Sequence, residues 1–110
     1  MDPYYYRCEI IRVIDGDTVV VDVNLGFHVH VKQIVRLHNI NAPEVRGEQR
    51  EEGLESKWHL VDLLNNRNRF AISTIKDKTG KYGRYLAVLW ADGDNINDRM
   101  VSDGHATERT

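Results

Sequence analysis

Four short segments hold the groups able to do chemistry: Asp15-Gly16-Asp17-Thr18, Arg36 within Val35-Arg36-Leu37, Asn41-Ala42-Pro43-Glu44, and Lys81-Tyr82-Gly83-Arg84. Together they offer hard oxygen ligands, a further carboxylate and two guanidinium groups. Such a set suits cleavage of a phosphodiester. That reaction needs a cation to polarise a phosphoryl oxygen, a group to orient or deprotonate water, and fixed donors for the charge that develops. Singly the segments say little, since Asp-Gly-Asp is common in plain turns and Lys-Tyr-Gly-Arg reads as an ordinary solvated loop. Their joint presence carries the reading.

The elements that must position these groups follow from the pattern around them. Residues 9–23 are two β-rich runs separated by Asp15-Gly16-Asp17, a hairpin signal because Gly after Asp permits a positive φ. Strands are expected at about 7–14 and 17–24. After a turn at Asn24-Leu25-Gly26, the residues Phe27, Val29, Val31, Val35 and Leu37 share one parity, which predicts a half-buried strand. Between Pro43 and Asn65 the period changes to that of a helix over about 47–65, with Leu54, Trp58, Val61 and Leu64 as its core-facing stripe.

Alternation resumes at Phe70, Ile72 and Thr74 and again at Tyr85, Ala87 and Leu89, bracketing a polar loop from Asp77 to Arg84. A short helix over Ile96–Ser102, closed by Gly104, completes the order β-β-β-α-β-β-α. The expected fold is α+β and predominantly β: a five-stranded OB-fold barrel with one main amphipathic helix and a short C-terminal helix. At 110 residues the chain has room for one such domain, spanning 1–110.

Composition bounds the function without choosing it. The chain has 41% hydrophobic and 29% charged residues, the balance of a globular protein and not of a disordered tail. Fifteen basic against 17 acidic residues leave a net charge of −2, so any polyanionic partner must be recognised by where charges lie. Cys8 is the only cysteine, which rules out an intramolecular disulfide and a cysteine-based zinc site, and it reads as a small strand residue. His28, His30 and His38 share a strand face, yet period-two spacing sets them side by side with no fixed carboxylate, a poor metal cage. No apolar run is long enough to span a bilayer and no leader pattern opens the chain, so a cytoplasmic monomer is expected, with secretion of a longer precursor left open.

In their order and spacing the segments resemble the staphylococcal (thermo)nuclease family. The match takes in Ile14 to Thr18, Arg36, Pro43-Glu44, Lys81 to Arg84 and the closing Ala91-Asp92-Gly93. The resemblance implies a nuclease with a calcium ion held directly by Asp17, by Asn41 and by the backbone carbonyl of Ala42, with Asp15 and Thr18 supporting the same ion. It implies that Glu44 positions or deprotonates the attacking water, that Arg36 and Arg84 clamp the phosphate, and that Lys81 and Tyr82 contact a neighbouring phosphate. The implied partners are DNA and RNA, preferably single-stranded or frayed, read through the backbone with little base specificity.

This chain departs from the family pattern at Asn41, where an Asp is usual. One formal negative charge is lost, so a weak calcium site is expected. Family members also often continue past the position of Thr110 into a helix whose tyrosines help hold substrate, and a weaker nucleotide grip and lower stability are expected here. Two non-catalytic readings compete. One is a nuclease-like domain that only binds nucleic acid or protein, which would have no evident need for Glu44 beside two arginines. The other is a generic OB-fold binder of single strands, which would need stacking aromatics on its face, whereas aromatics make up only 8% of the chain.

Overall fold

Runs of β-branched residues set the strands, and their pairing closes a barrel in the computed structural model, which describes residues 4–79 and 84–109. The strands are β1 (Tyr5–Asp15), β2 (Thr18–Asn24), β3 (His30–Leu37), β5 (Phe70–Thr79) and β6 (Tyr85–Ala91). Antiparallel ladders run β3-β2-β1-β5-β6, and a parallel pairing of Val35–Leu37 with Tyr85–Ala87 joins β6 back to β3. Closure removes the exposed edges of an open sheet. The five-stranded OB-type barrel expected from the pattern is therefore present.

Inward residues of successive strands fill the interior. Val19, Val21, Val23, Val35, Leu37, Ile72, Ala87 and Leu89 are buried together. Helices α1 (Arg50–Leu64) and α2 (Ile96–Ser102) extend that core with Leu60, Leu63, Ile96 and Met100. Gly104 follows the end of α2 with φ of 83°, as the pattern predicted, and Asn95 caps its start by accepting from the Asp98 N–H. Three two-residue strands escaped the sequence reading: β4 (Ile40–Asn41), β7 (Asp94–Asn95) and β8 (Thr107–Glu108).

Other expectations need correction. Gly47–Gln49 form a single 3-10 turn and the α-helix proper starts at Arg50. The docked face of α1 is Gly53, Ser56, Leu60, Leu63 and Leu64, while Trp58 is 57% exposed, with the Lys57 ammonium 5.4 Å from its ring centre. Apolar periodicity placed Trp58 inside, but the small residues Gly53 and Ser56 allow closer backbone approach and decide which face docks. Phe27 is 96% exposed and Val29 is also exposed, because Gly26, Phe27 and His28 all take positive φ in a wide turn closed by Leu25 and Val29. The half-buried strand starts only at His30. The loop expected from Asp77 is shorter than predicted, since β5 continues to Thr79.

Candidate active site

The β1–β2 turn is tight: Asp15 pairs with Thr18, leaving Gly16 and Asp17 at the corner. Gly16 does not adopt the positive φ that the hairpin motif suggested. Its need is for space: a Cβ there would collide with Ser56 Oγ and lie 2.8 Å from the Cβ of Ala42. Helix α1, the turn and the 41–44 loop meet at this point, and Ser56 Oγ also donates to the carbonyl of His105 at 2.7 Å.

Asp17 is the hub of the cluster, at 6% exposure. Its Oδ1 accepts from Thr18 Oγ1 at 2.9 Å. Its Oδ2 accepts from the Ala42 N–H at 2.9 Å and from Arg36 Nη2 at 3.3 Å. Its carbonyl accepts from the Leu37 N–H at 2.7 Å. A carboxylate so placed stays buried because the Thr18 hydroxyl, the Ala42 N–H and the Arg36 guanidinium offset its lost hydration.

The same Arg36 nitrogen donates to Asn41 Oδ1 at 3.0 Å. Two oxygens from separate loops thus converge on one positive group. Hard carboxylate and amide oxygens of this kind fit calcium better than zinc. Among the described residues no cluster of three His, Cys, Asp or Glu side chains could hold an ion, so any such ion would need Asn41 and main-chain oxygens in addition to Asp17. Arg36 uses one terminal nitrogen in both bonds, and its other nitrogens have no hydrogen-bond partner among the described residues.

Asn41 is held by more than its loop. It pairs with Thr107 of β8, whose hydroxyl donates to its carbonyl at 3.3 Å, and Arg109 N–H donates to the neighbouring Asn39 carbonyl at 2.7 Å. The C-terminal segment therefore fixes the position of this candidate ligand. Ala42 presents its N–H to Asp17, and its carbonyl has no hydrogen bond among the described residues.

Glu44 is exposed, and its carboxylate has no partner among the described residues. Its main chain is fixed from below, because a Cβ on Gly53 of α1 would collide with the Glu44 carbonyl group and lie 2.7 Å from Val45 N. Both obstacles are backbone, which cannot rotate away. Gly53→Ala is accordingly expected to destabilise by about 1–3 kcal/mol of overpacking, outweighing the ~1 kcal/mol that Ala gains over Gly inside a helix. Urea unfolding measures this directly, and a more stable variant would show that the 42–45 loop yields freely.

Asp15 accepts from the Asp17 N–H at 3.0 Å. Burial, and then the neighbouring Asp17 carboxylate, push its carboxyl from an ordinary 3.8 up to about 6. A raised carboxyl binds its proton more tightly in the folded state. Its contribution to stability is complete below about 3.8 and is lost as pH rises through about 6. With a chelator present, the melting temperature should be a few degrees higher at pH 5 than at pH 7, and Asp15→Asn should flatten that slope. A wild-type Tm that is flat or falls towards pH 5 contradicts it.

Arg84 is half-buried one residue before β6. The β3–β6 register sets Arg36 against Leu86, so Arg84 lies two residues upstream on the adjacent strand, on the same parity as Arg36. Lys81 and Tyr82 lie outside the described residues. The turn, the strand arginine and the 41–44 loop are thus brought together around Asp17. Sequence reasoning missed Gly53, Ser56 and Thr107, which hold this arrangement without facing a substrate. Gly53 alone left a signal, as a glycine within a helical pattern.

A closed five-stranded barrel with α1 packed against β1 and a buried acid–arginine cluster at its first turn defines an OB-type protein. The model described as staphylococcal nuclease homologue matches residues 34–110, and the chain belongs to that family. It is 31% identical over 112 residues to micrococcal nuclease of Shigella flexneri, covering 92% of this chain and 55% of that protein. It is 28% identical over 105 residues to thermonuclease of Staphylococcus hyicus, with 89% and 56% covered. An uncharacterized endonuclease of Haemophilus influenzae is 33% identical over 99 residues, with 90% and 50% covered. The chain spans about half the length of the curated relatives it matches.

Proposed function

We propose that this chain is a calcium-dependent phosphodiesterase that hydrolyses the backbone of DNA and RNA, acting best on single-stranded or frayed regions. The observation that supports this most is the single Arg36 nitrogen bridging Asp17 Oδ2 and Asn41 Oδ1. It brings oxygens able to hold a cation and a guanidinium able to hold a phosphate to one point. Family membership adds weight, since relatives of similar sequence carry the names of nucleases.

Asp17, Asn41 and the Ala42 carbonyl would hold calcium, with Asp15 and Thr18 fixing Asp17. Once bound, calcium supplies positive charge that polarises a phosphoryl oxygen. Arg36 brings its remaining donors to the non-bridging oxygens, and Arg84 reaches them from the adjacent strand. A guanidinium fork matches two such oxygens and stays charged at any working pH. Glu44 orients the attacking water and takes its proton. Lys81 and Tyr82 would bind the next phosphate along the strand. Contacts of this kind read the backbone and not the bases, which gives broad substrate scope.

Asn41 brings no charge to the ion, so calcium should bind weakly and activity should need millimolar calcium. Asn41→Asp restores a carboxylate and is expected to tighten calcium by about tenfold in titration calorimetry. The calcium concentration for half-maximal hydrolysis of heat-denatured DNA should fall in step. If neither quantity moves, Asn41 is not a ligand and the calcium site is wrongly placed.

A further inference from the structure

His59 of α1 and His105, just past α2, lie with their rings stacked 4.1 Å apart and 18° from parallel. His59 Nε2 meets Asp103 Oδ2 at 2.7 Å, and Arg99 Nη2 lies 3.7 Å from the same oxygen. The proposed chemistry uses none of these groups. Resting on the reading of this chain as a calcium-dependent nuclease, we infer that His59 is a positioning residue for the ion. With Asp103 it holds His105, and through His105 it sets the strand β8 that fixes Asn41.

The line of contacts is short and unbroken. Asp103 and His105 flank Gly104, whose φ of 83° turns the chain back at the end of α2. That corner is tied from within, because the His105 and Ala106 N–H groups both donate to the Met100 carbonyl, at 2.9 and 3.1 Å. Helix α1 grips it at two points three residues apart, which share a helix face. Ser56 Oγ donates to the His105 carbonyl at 2.7 Å, and the His59 ring covers the His105 ring. Only Ala106, which is buried, separates His105 from Thr107, the partner of Asn41. Two residues span at most about 7 Å of chain, so a shift at His105 has little slack in which to fade before it reaches Asn41.

The chemistry of the clasp fits a holding role. The His59 hydrogen bond, with Arg99 beside it, keeps the Asp103 carboxyl below its usual range. The carboxylate is therefore ionised at neutral pH and can only accept, so His59 Nε2 carries the proton between them. Among the described residues these three side chains make no cage for a metal of their own. Their effect on the ion runs through Asn41. Calcium takes its oxygens at about 2.3–2.6 Å, so a ligand displaced by a fraction of an ångström binds it less well.

The test compares the whole chain with His59→Ala and His59→Gln, by amide exchange without calcium and by calcium calorimetry. Alanine removes both ring and donor. Glutamine places an amide nitrogen near the position of Nε2 and keeps a donor for Asp103. In His59→Ala the Arg109 amide, which donates to the Asn39 carbonyl beside β4, should exchange about 10-fold faster. Amides of β2, paired on both sides within the barrel, should keep their rates. Calcium should bind about 10-fold more weakly, the loss associated with removing a group that orients a metal ligand. His59→Gln should recover most of both effects.

An Arg109 rate that is unchanged in His59→Ala, or raised no more than the rates of β2, overturns the inference. So does faster exchange at Arg109 with calcium affinity unaltered, which would make the clasp structural and nothing more. A His59→Gln chain as loose as His59→Ala overturns the role given to the bond with Asp103. Selective loosening of Arg109, in a parent chain that binds no calcium, upholds His59 as the residue that holds the Asn41 strand and overturns the calcium reading.

Discussion

Arg36→Lys is expected to slow release of nucleotides from single-stranded DNA by about 100-fold, in line with removal of one preorganised donor from other sites of this type. The substitution separates charge from geometry. A lysine at this position keeps a cation near the buried Asp17 carboxylate, so the fold should survive with a stability loss of about 1 kcal/mol. It cannot satisfy Asp17 and Asn41 while presenting a second pair of donors to a phosphate, as the guanidinium does. Arg36→Ala would be a poorer test. It leaves Asp17 without its cation and is expected to cost about 1.5–3 kcal/mol from a lost charged hydrogen bond alone. Equal rates for Arg36→Lys and wild type would mean that Arg36 serves only to neutralise Asp17.

Glu44→Gln is expected to lower the rate by about 100- to 10,000-fold, the range associated with a positioned general base. The glutamine has nearly the same shape, and the exposed Glu44 carboxylate has no partner among the described residues whose loss would disturb the fold. Unfolding free energy should therefore stay within about 0.5 kcal/mol of wild type. Calcium affinity by calorimetry should also hold, because the ligands proposed for the ion do not include Glu44. A rate within a few-fold of wild type would remove Glu44 from the mechanism. A parallel loss of calcium binding would instead make it a ligand.

The barrel was legible in the sequence because its strands carry a simple signal. Thr18 to Val21 are β-branched without interruption, and the alternation through Val35 and Leu37 matches the buried face of β3. The short helix from Ile96 was equally plain, since Gly104 marks its end. Trp58 was misplaced because apolar periodicity weighs side-chain size, whereas α1 docks through Gly53 and Ser56, where backbones meet closely. Phe27 was misplaced because nothing local announces two consecutive non-glycine residues with positive φ.

The candidate site was legible as a set of residues but not as a structure. Motif order assembled Asp17, Arg36, Asn41 and Glu44 on paper, and the fold joins the first three by direct hydrogen bonds. What holds Asn41 and Glu44 in place was not legible. Thr107 lies 66 positions from Asn41 in the chain, and a two-residue strand such as β8 is too short to leave a periodic trace. The Asp15 carboxyl, pushed up by burial and by Asp17, likewise depends on packing that no local pattern encodes.

The most direct test of the central proposal is release of acid-soluble nucleotides from heat-denatured DNA by the folded chain as calcium is raised from none to tens of millimolar, with Arg84→Ala run alongside. Release should need calcium, rise through the millimolar range and be largely lost in Arg84→Ala. No release at any calcium concentration, from protein shown to be folded, would contradict it and leave a nuclease-like barrel that only binds.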